Sequence, residues 1–141
     1  MDTLQLKKAQ DLAWRERSID IGTWAVQVVL AFLFFIHGWG MLTASDRLRE
    51  RIPYIFELSP GLRVFTGTAE IAGAAGLLLP GITGILPVLT PLAALGLAFI
   101  MLAAIVFHLR RGEAANIGLN VILLILSLWV AYVRGCIAPL G

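Results

Sequence analysis

The chain has 141 residues, of which 59% are hydrophobic and only 14% charged, and its mean hydropathy is +0.87. That composition excludes an ordinary soluble domain, fits an integral membrane protein, and at this length allows one compact domain. A formal net charge of +2 gives no argument for nucleic acid, and the single cysteine, Cys136, excludes an intrachain disulfide and a multi-cysteine metal site.

Residues 1–20 mix both signs, with Lys7, Lys8, Arg15 and Arg17 against Asp2, Asp11, Glu16 and Asp20. Acidic residues within a long charged stretch argue against a secretory signal, and the segment reads either as a short interfacial helix or as a solvated tail. The first apolar run, 21–42, is about 33 Å long at ~1.5 Å per residue, enough to cross a bilayer with some tilt. Trp24 and Trp39 lie near its ends, where interfacial aromatics belong, and His37 precedes Gly38 and Gly40.

Residues 43–61 form the one long polar loop. Ser45 or Asp46 is a candidate cap for a short helix, and Pro53 should end it. Tyr54, Ile55 and Phe56 are expected to dip into the interface, and the loop has the length of a lid or docking surface. The second run, 62–80, is rich in glycine and alanine and carries one carboxylate, Glu70. Gly67, Gly73 and Ala74 lie three or four positions from Glu70, so one helical face joins the acid to almost no side-chain bulk. Ala69/Gly73 and Ala72/Gly76 have the spacing that lets helices approach closely, which predicts that this span is the central, least lipid-exposed one. An uncharged hairpin leads to a third run, 87–108, and Arg110-Arg111-Gly112-Glu113 leads to a fourth, 115–133.

The pattern predicts an all-α, polytopic bundle of four transmembrane helices over 21–134, with both termini on one side. Basic residues near the termini number five (Lys7, Lys8, Arg15, Arg17, Arg134) against six on the other side (Arg47, Arg49, Arg51, Arg63, Arg110, Arg111), so the positive-inside rule leaves the orientation open. Topology then collects the polar residues in one leaflet. His37 lies ~7 Å in from the end of the first span and Glu70 ~10 Å in from the start of the second. His108 ends the third span, and Asn116 and Asn120 share a face at the start of the fourth. Arg63, Arg110 and Arg111 rim the layer, while the other leaflet holds only Gln27, Thr90 and Ser127.

A polar pocket around Glu70 follows, because an intramembrane acid is a functional candidate by default. Each member also has a structural reading. Glu70 serves equally as a hydrogen-bonded structural acid, His37 as a snorkelling side chain, His108 as a helix-end residue, and Asn116 and Asn120 as interhelical glue. The spacing of the two histidines and the acid is no metal-ligand motif, so no metal is expected.

The ordered pieces resemble the DoxX-like family of small four-helix membrane proteins over about 34–134. They are His37-Gly38, Gly67-Thr68-Ala69-Glu70, Leu77-Leu78-Leu79-Pro80, the run Thr90 to Ala98, Met101 and His108 to Glu113. Many relatives carry a lysine shortly after the glycine ending the first span, where this chain reads Trp39-Gly40-Met41, so no role of that lysine carries over. The resemblance implies a link to redox biology, since the family is named after a membrane subunit of a thiosulfate–quinone oxidoreductase and other relatives are associated with oxidative-stress or thiol systems. It implies no enzyme activity, and the chain has no catalytic, haem, flavin or nucleotide motif. No cofactor is identifiable, and a quinone is the one left open.

The first reading is therefore a subunit or partner of a quinone- or thiol-linked membrane system, multi-pass in a bacterial or archaeal inner membrane, in contact with lipid and a redox-enzyme partner. The alternatives are a small-molecule or proton-linked transport protein acting as a homo-oligomer, and a structural scaffold.

Overall fold

The structure, a computed structural model, describes residues 3–140. Five α-helices follow one another: α1 (Thr3–Thr43), α2 (Asp46–Arg51), α3 (Pro60–Thr83), α4 (Leu89–Arg111) and α5 (Ala114–Tyr132). A 3-10 turn, Pro53–Phe56, links α2 to α3, and a π turn, Val133–Ile137, ends α5. Four of these helices are long and apolar enough to cross a membrane, and α2 is not. The first span is joined to the charged segment before it: α1 runs unbroken for 41 residues, because no proline or cap interrupts it. Of the 1–20 segment, residues 1 and 2 lie outside the described residues.

Local chemistry sets the helix boundaries. Ser59 caps α3 by accepting the Leu62 amide at 3.4 Å, and Pro60 occupies the first position, where its missing N–H costs nothing. The helix continues past Pro80 to Thr83. Pro80 leaves the Gly76 carbonyl without its helical donor, and the Thr90 hydroxyl of α4 donates to that oxygen at 3.1 Å instead. Gly84 and Gly112, at φ 70° and 69°, end α3 and α4 in the left-handed conformation that glycine adopts freely.

α1 packs on α3, α3 on α4 and α4 on α5, while α1 and α5 touch only sparsely along their facing sides. Leu30, Phe34, Leu77, Leu97, Met101 and Val130 form the core between them. Large apolar side chains point outward all round, including Phe32 at 62% exposure and Phe99 at 74%. Such a surface is unstable against water and suited to lipid.

The second span does not surround itself with protein. The buried share of its apolar window, 28%, equals that of the first and third spans. Its glycines bring neighbours close on two sides only, while Val64, Phe65, Leu79 and Ile82 face out. On the α1 side, a Cβ at Gly38 would lie 2.7 Å from the Gly67 carbonyl oxygen, and a Cβ at Gly67 would lie 2.8 Å from that of Gly38. The two backbones therefore touch through a reciprocal pair of glycines. On the α4 side, Gly73 receives Leu97 and Gly76 receives Ala93.

The leaflet on the terminus side is not empty of polar structure. Arg134, only 3% exposed, donates from Nε to Gln27 Oε1 at 2.6 Å and from Nη1 to Asp20 Oδ1 at 2.5 Å, and its guanidinium stacks over Trp24. Gln27 in turn donates to the Leu77 carbonyl at 2.6 Å. One buried arginine thus ties α1, α3 and the end of α5 together and places the outer ends of the first and last spans side by side.

Replacing Gly67 by alanine should lower stability by about 1–3 kcal/mol, because backbone oxygen cannot step aside as a flexible side chain can. A Cβ at Gly96 meets nothing within 4 Å, so Gly96→Ala should leave stability unchanged or slightly raised. Thermal unfolding of the two variants in detergent checks the contrast, and equal melting temperatures would contradict it.

Candidate functional site

The glycine crossing puts the residue beside Gly38 against the residue one turn beyond Gly67. His37 Nδ1 lies 2.7 Å from Glu70 Oε2. The Glu70 side chain is 1% exposed and its other oxygen, Oε1, has no hydrogen-bond partner among the described residues. A buried polar atom left unpaired costs on the order of 1–3 kcal/mol, more when charged, and such an atom calls for an explanation.

The long loop folds inward rather than into the interface. Ile55 is fully buried, and the Tyr54 hydroxyl lies 3.0 Å from His37 Nε2. Burial, first, and then the charges of Glu70 and Glu113 push the Tyr54 phenol up to about 12. Tyr54 is therefore a protonated donor. We infer the arrangement in which the phenol donates to Nε2 of His37, and there Nδ1 carries the ring proton and donates to Glu70. The three residues make one directed chain from the loop to the buried carboxylate.

A second chain is built on the turn between α4 and α5. Gly112 reverses the backbone so that Glu113 returns over His108, whose Nδ1 lies 2.5 Å from Glu113 Oε2. Asn116 Nδ2 donates to the same carboxylate at 2.9 Å and Arg111 Nε at 2.7 Å. Hydrogen bonds from Asn116, Arg111 and His108, in that order, pull the Glu113 carboxyl down to about 2. Its contribution to stability is present above the ordinary value of 4.5 and is lost as the pH falls through about 2. Arg111 also pairs with Glu57, which clamps the loop to this turn. The Tyr54 ring meets the His108 ring edge to face at 4.9 Å, so the two chains adjoin.

Between the chains lies a cavity of about 520 Å³. Its walls are mostly apolar, with Phe34, Met41, Ile55 and Ile100 among them, and its polar groups are Glu70, His37, Tyr54, His108, Asn116, Asn120 and Thr66. That size and that mixture suit a small-molecule site.

All five sequence-predicted pocket residues line this cavity. The structure joins Glu70 to His37 but sends Asn116 to Glu113, and Asn120 is buried on the wall with no bond to the acid. Of the predicted rim, Arg111 forms the clamp, Arg63 lies over the Phe56 ring, and Arg110 is exposed and outside the cavity wall. Tyr54 and Glu113 were not among the predicted site residues. Gly112 gave a local signal for Glu113, since a glycine turn just past His108 returns the next residue toward it. Tyr54 has no comparable signal, because its position depends on how the loop folds back. Among the described residues, no three His, Cys, Asp or Glu side chains are placed to hold a metal ion.

A profile of the DoxX-like family matches residues 25–130. No curated protein and no solved structure matches the chain.

The raised Tyr54 pKa gives a pH test. Its contribution to stability is fully present below the ordinary value of 10 and is lost as the pH rises through about 12. In Tyr132→Phe, which leaves Tyr54 as the only tyrosine, phenolate absorbance should rise near pH 12, and Glu70→Gln should bring the midpoint down. A midpoint near 10, indifferent to Glu70, would contradict the buried chain.

Proposed function

The chain belongs to the DoxX-like family, and from that premise we propose that it is the membrane component of a redox system, binding the head group of a quinone in the cavity beside Glu70. The observation that carries this reading is the hydrogen-bonded chain Tyr54–His37–Glu70, which ends on a buried carboxylate with one oxygen unpartnered among the described residues, at a mostly apolar cavity. Apolar walls accept a planar ring, and convergent polar groups orient its oxygens. A cell-membrane location and an oxidoreductase partner are part of this reading.

Two-electron reduction of a quinone takes up two protons, and here the partner oxidoreductase supplies the electrons. The residues of this chain handle protons and position. The His37–Glu70 pair stands at the cavity wall to pass protons to a ligand oxygen and is recharged from solvent between turnovers, while Tyr54 hydrogen-bonds the far side of the imidazole and holds it in place. The Arg111–Glu57 pair and the buried Ile55 hold the loop over the site and limit water. The role is that of a positioning and proton-handling subunit, with electron transfer assigned to the partner.

Glu70→Gln keeps the shape and removes the acid. The variant should remain folded and lose about tenfold or more of its affinity for a tail-less benzoquinone, read as ligand-induced thermal stabilisation in detergent. Wild-type protein drawn from native membranes should bring an oxidoreductase with it. Unchanged benzoquinone affinity in the variant would overturn the Glu70 site, and recovery of the wild type without any oxidoreductase would overturn the partnership.

A further inference from the structure

We propose that the seam between α1 and α5 is a groove for the hydrocarbon tail of the ligand, so that the site takes a tailed amphiphile that enters sideways from the bilayer. This inference rests on the head-group site proposed above and adds the class of molecule and its route.

The seam is where the bundle is least closed. α1 and α5 meet far less than the other neighbouring spans. Leu33 and Ile36 of α1 and Leu119 of α5 line the head-group cavity, yet they are 41%, 52% and 54% exposed on the outer surface. Leu62 and Phe65 of α3 and Phe99 of α4 also line the cavity and are exposed, so the α1–α5 seam is one of its lipid-facing sides, distinguished by its sparse helix contact and by what continues along it. Toward the loop it is shut, by the buried Ile55, by Tyr54 and by the Arg111–Glu57 clamp.

A second, smaller cavity of about 200 Å³ continues the same line. It is an open surface depression, and Ala25, Val26 and Val29 of α1 and Leu126 of α5 line it. Ala25, Val29, Leu33 and Ile36 follow one another at helical spacing and so form a single stripe of α1. Leu126, Leu123 and Leu119 form the facing stripe of α5, which runs antiparallel, as the Arg134–Asp20 contact at one end requires. Val29 and Leu33 are one turn apart, about 6 Å along the axis. The two cavities are thus neighbours on one seam, with every polar group at the Glu70 end and only apolar side chains at the other. A head with hydrogen-bonding oxygens and an attached apolar tail matches that gradient.

Lipid is as apolar as the groove, so burying a tail there gains no hydrophobic free energy. What the groove offers is shape: an open furrow along which a tail lies in contact with side chains on both helices, which gives the tail and hence the head a preferred direction. Overfilling it should cost a tailed ligand and spare a tail-less one.

Binding measured in lipid nanodiscs decides this, with two probes sharing a dimethoxy-methylbenzoquinone head, one tail-less and one bearing a decyl tail. The proteins are the wild type, Val29→Trp and Leu126→Trp. The expected result is a loss of about tenfold for the decyl probe in both variants and no change for the tail-less probe. Equal losses for both probes, or none, would overturn the groove while leaving the head-group site standing. Failure of either probe to bind the wild type would overturn the head-group reading, and photolabelling with a diazirine-tailed fatty acid then tests the groove alone. Label concentrated on Ala25, Val29 and Leu126 supports it, and label spread evenly over the outer faces of all four spans overturns it.

Discussion

Gly38 on α1 and Gly67 on α3 meet backbone to backbone, each occupying the space that the other's Cβ would need. Inside a bilayer no hydrophobic force drives helices together, so close packing of small residues has to hold them. This contact also sets the chemistry. It brings His37 within 2.7 Å of Glu70, and a bulkier residue at either glycine would push the imidazole away from the buried acid, whose one partner among the described residues it is. Packing and polar structure are one arrangement here.

The other polar features support that pair from both ends of the bundle. On the loop side, Tyr54 extends the chain to the loop, and the Glu113 cluster gathers Arg111, His108 and Asn116 into a lid anchor. On the terminus side, Arg134 and Gln27 bind the ends of α1, α3 and α5. α1 and α3 are therefore fixed to one another at two depths, by the Gly38–Gly67 crossing and by Gln27. α1 and α5 are fixed to one another at the terminus side by Arg134 and are thinly packed above it, which leaves the seam along which the cavity opens.

Much of this was legible in the sequence, for local reasons. Four apolar runs with proline, glycine and charged interruptions define four spans, and residue-by-residue depth along a helix brings His37 and Glu70 to one level. What was not legible depends on long-range contact. Arg134 reads as an interfacial anchor after an apolar run, but its partner Gln27 is 107 residues away. Tyr54 reads as an interfacial aromatic because nothing local says that the loop turns inward. Pro80 reads as a helix end, and Thr90, on another helix, is what lets α3 continue. The charged segment from Thr3 reads as a separate element because it lacks an apolar stripe, yet α1 continues through it for want of a breaker.

The claim on which the account turns is that His37 is held in one tautomer between Glu70 and Tyr54. The chain has two histidines, so ¹⁵N-histidine labelling with His108→Gln as the assignment control isolates the His37 ring in a nitrogen NMR spectrum. The account predicts a protonated Nδ1 and a hydrogen-bonded, unprotonated Nε2, with both signals moving in Glu70→Gln and only Nε2 moving strongly in Tyr54→Phe. A ring that averages between its two tautomers and ignores both substitutions would contradict it.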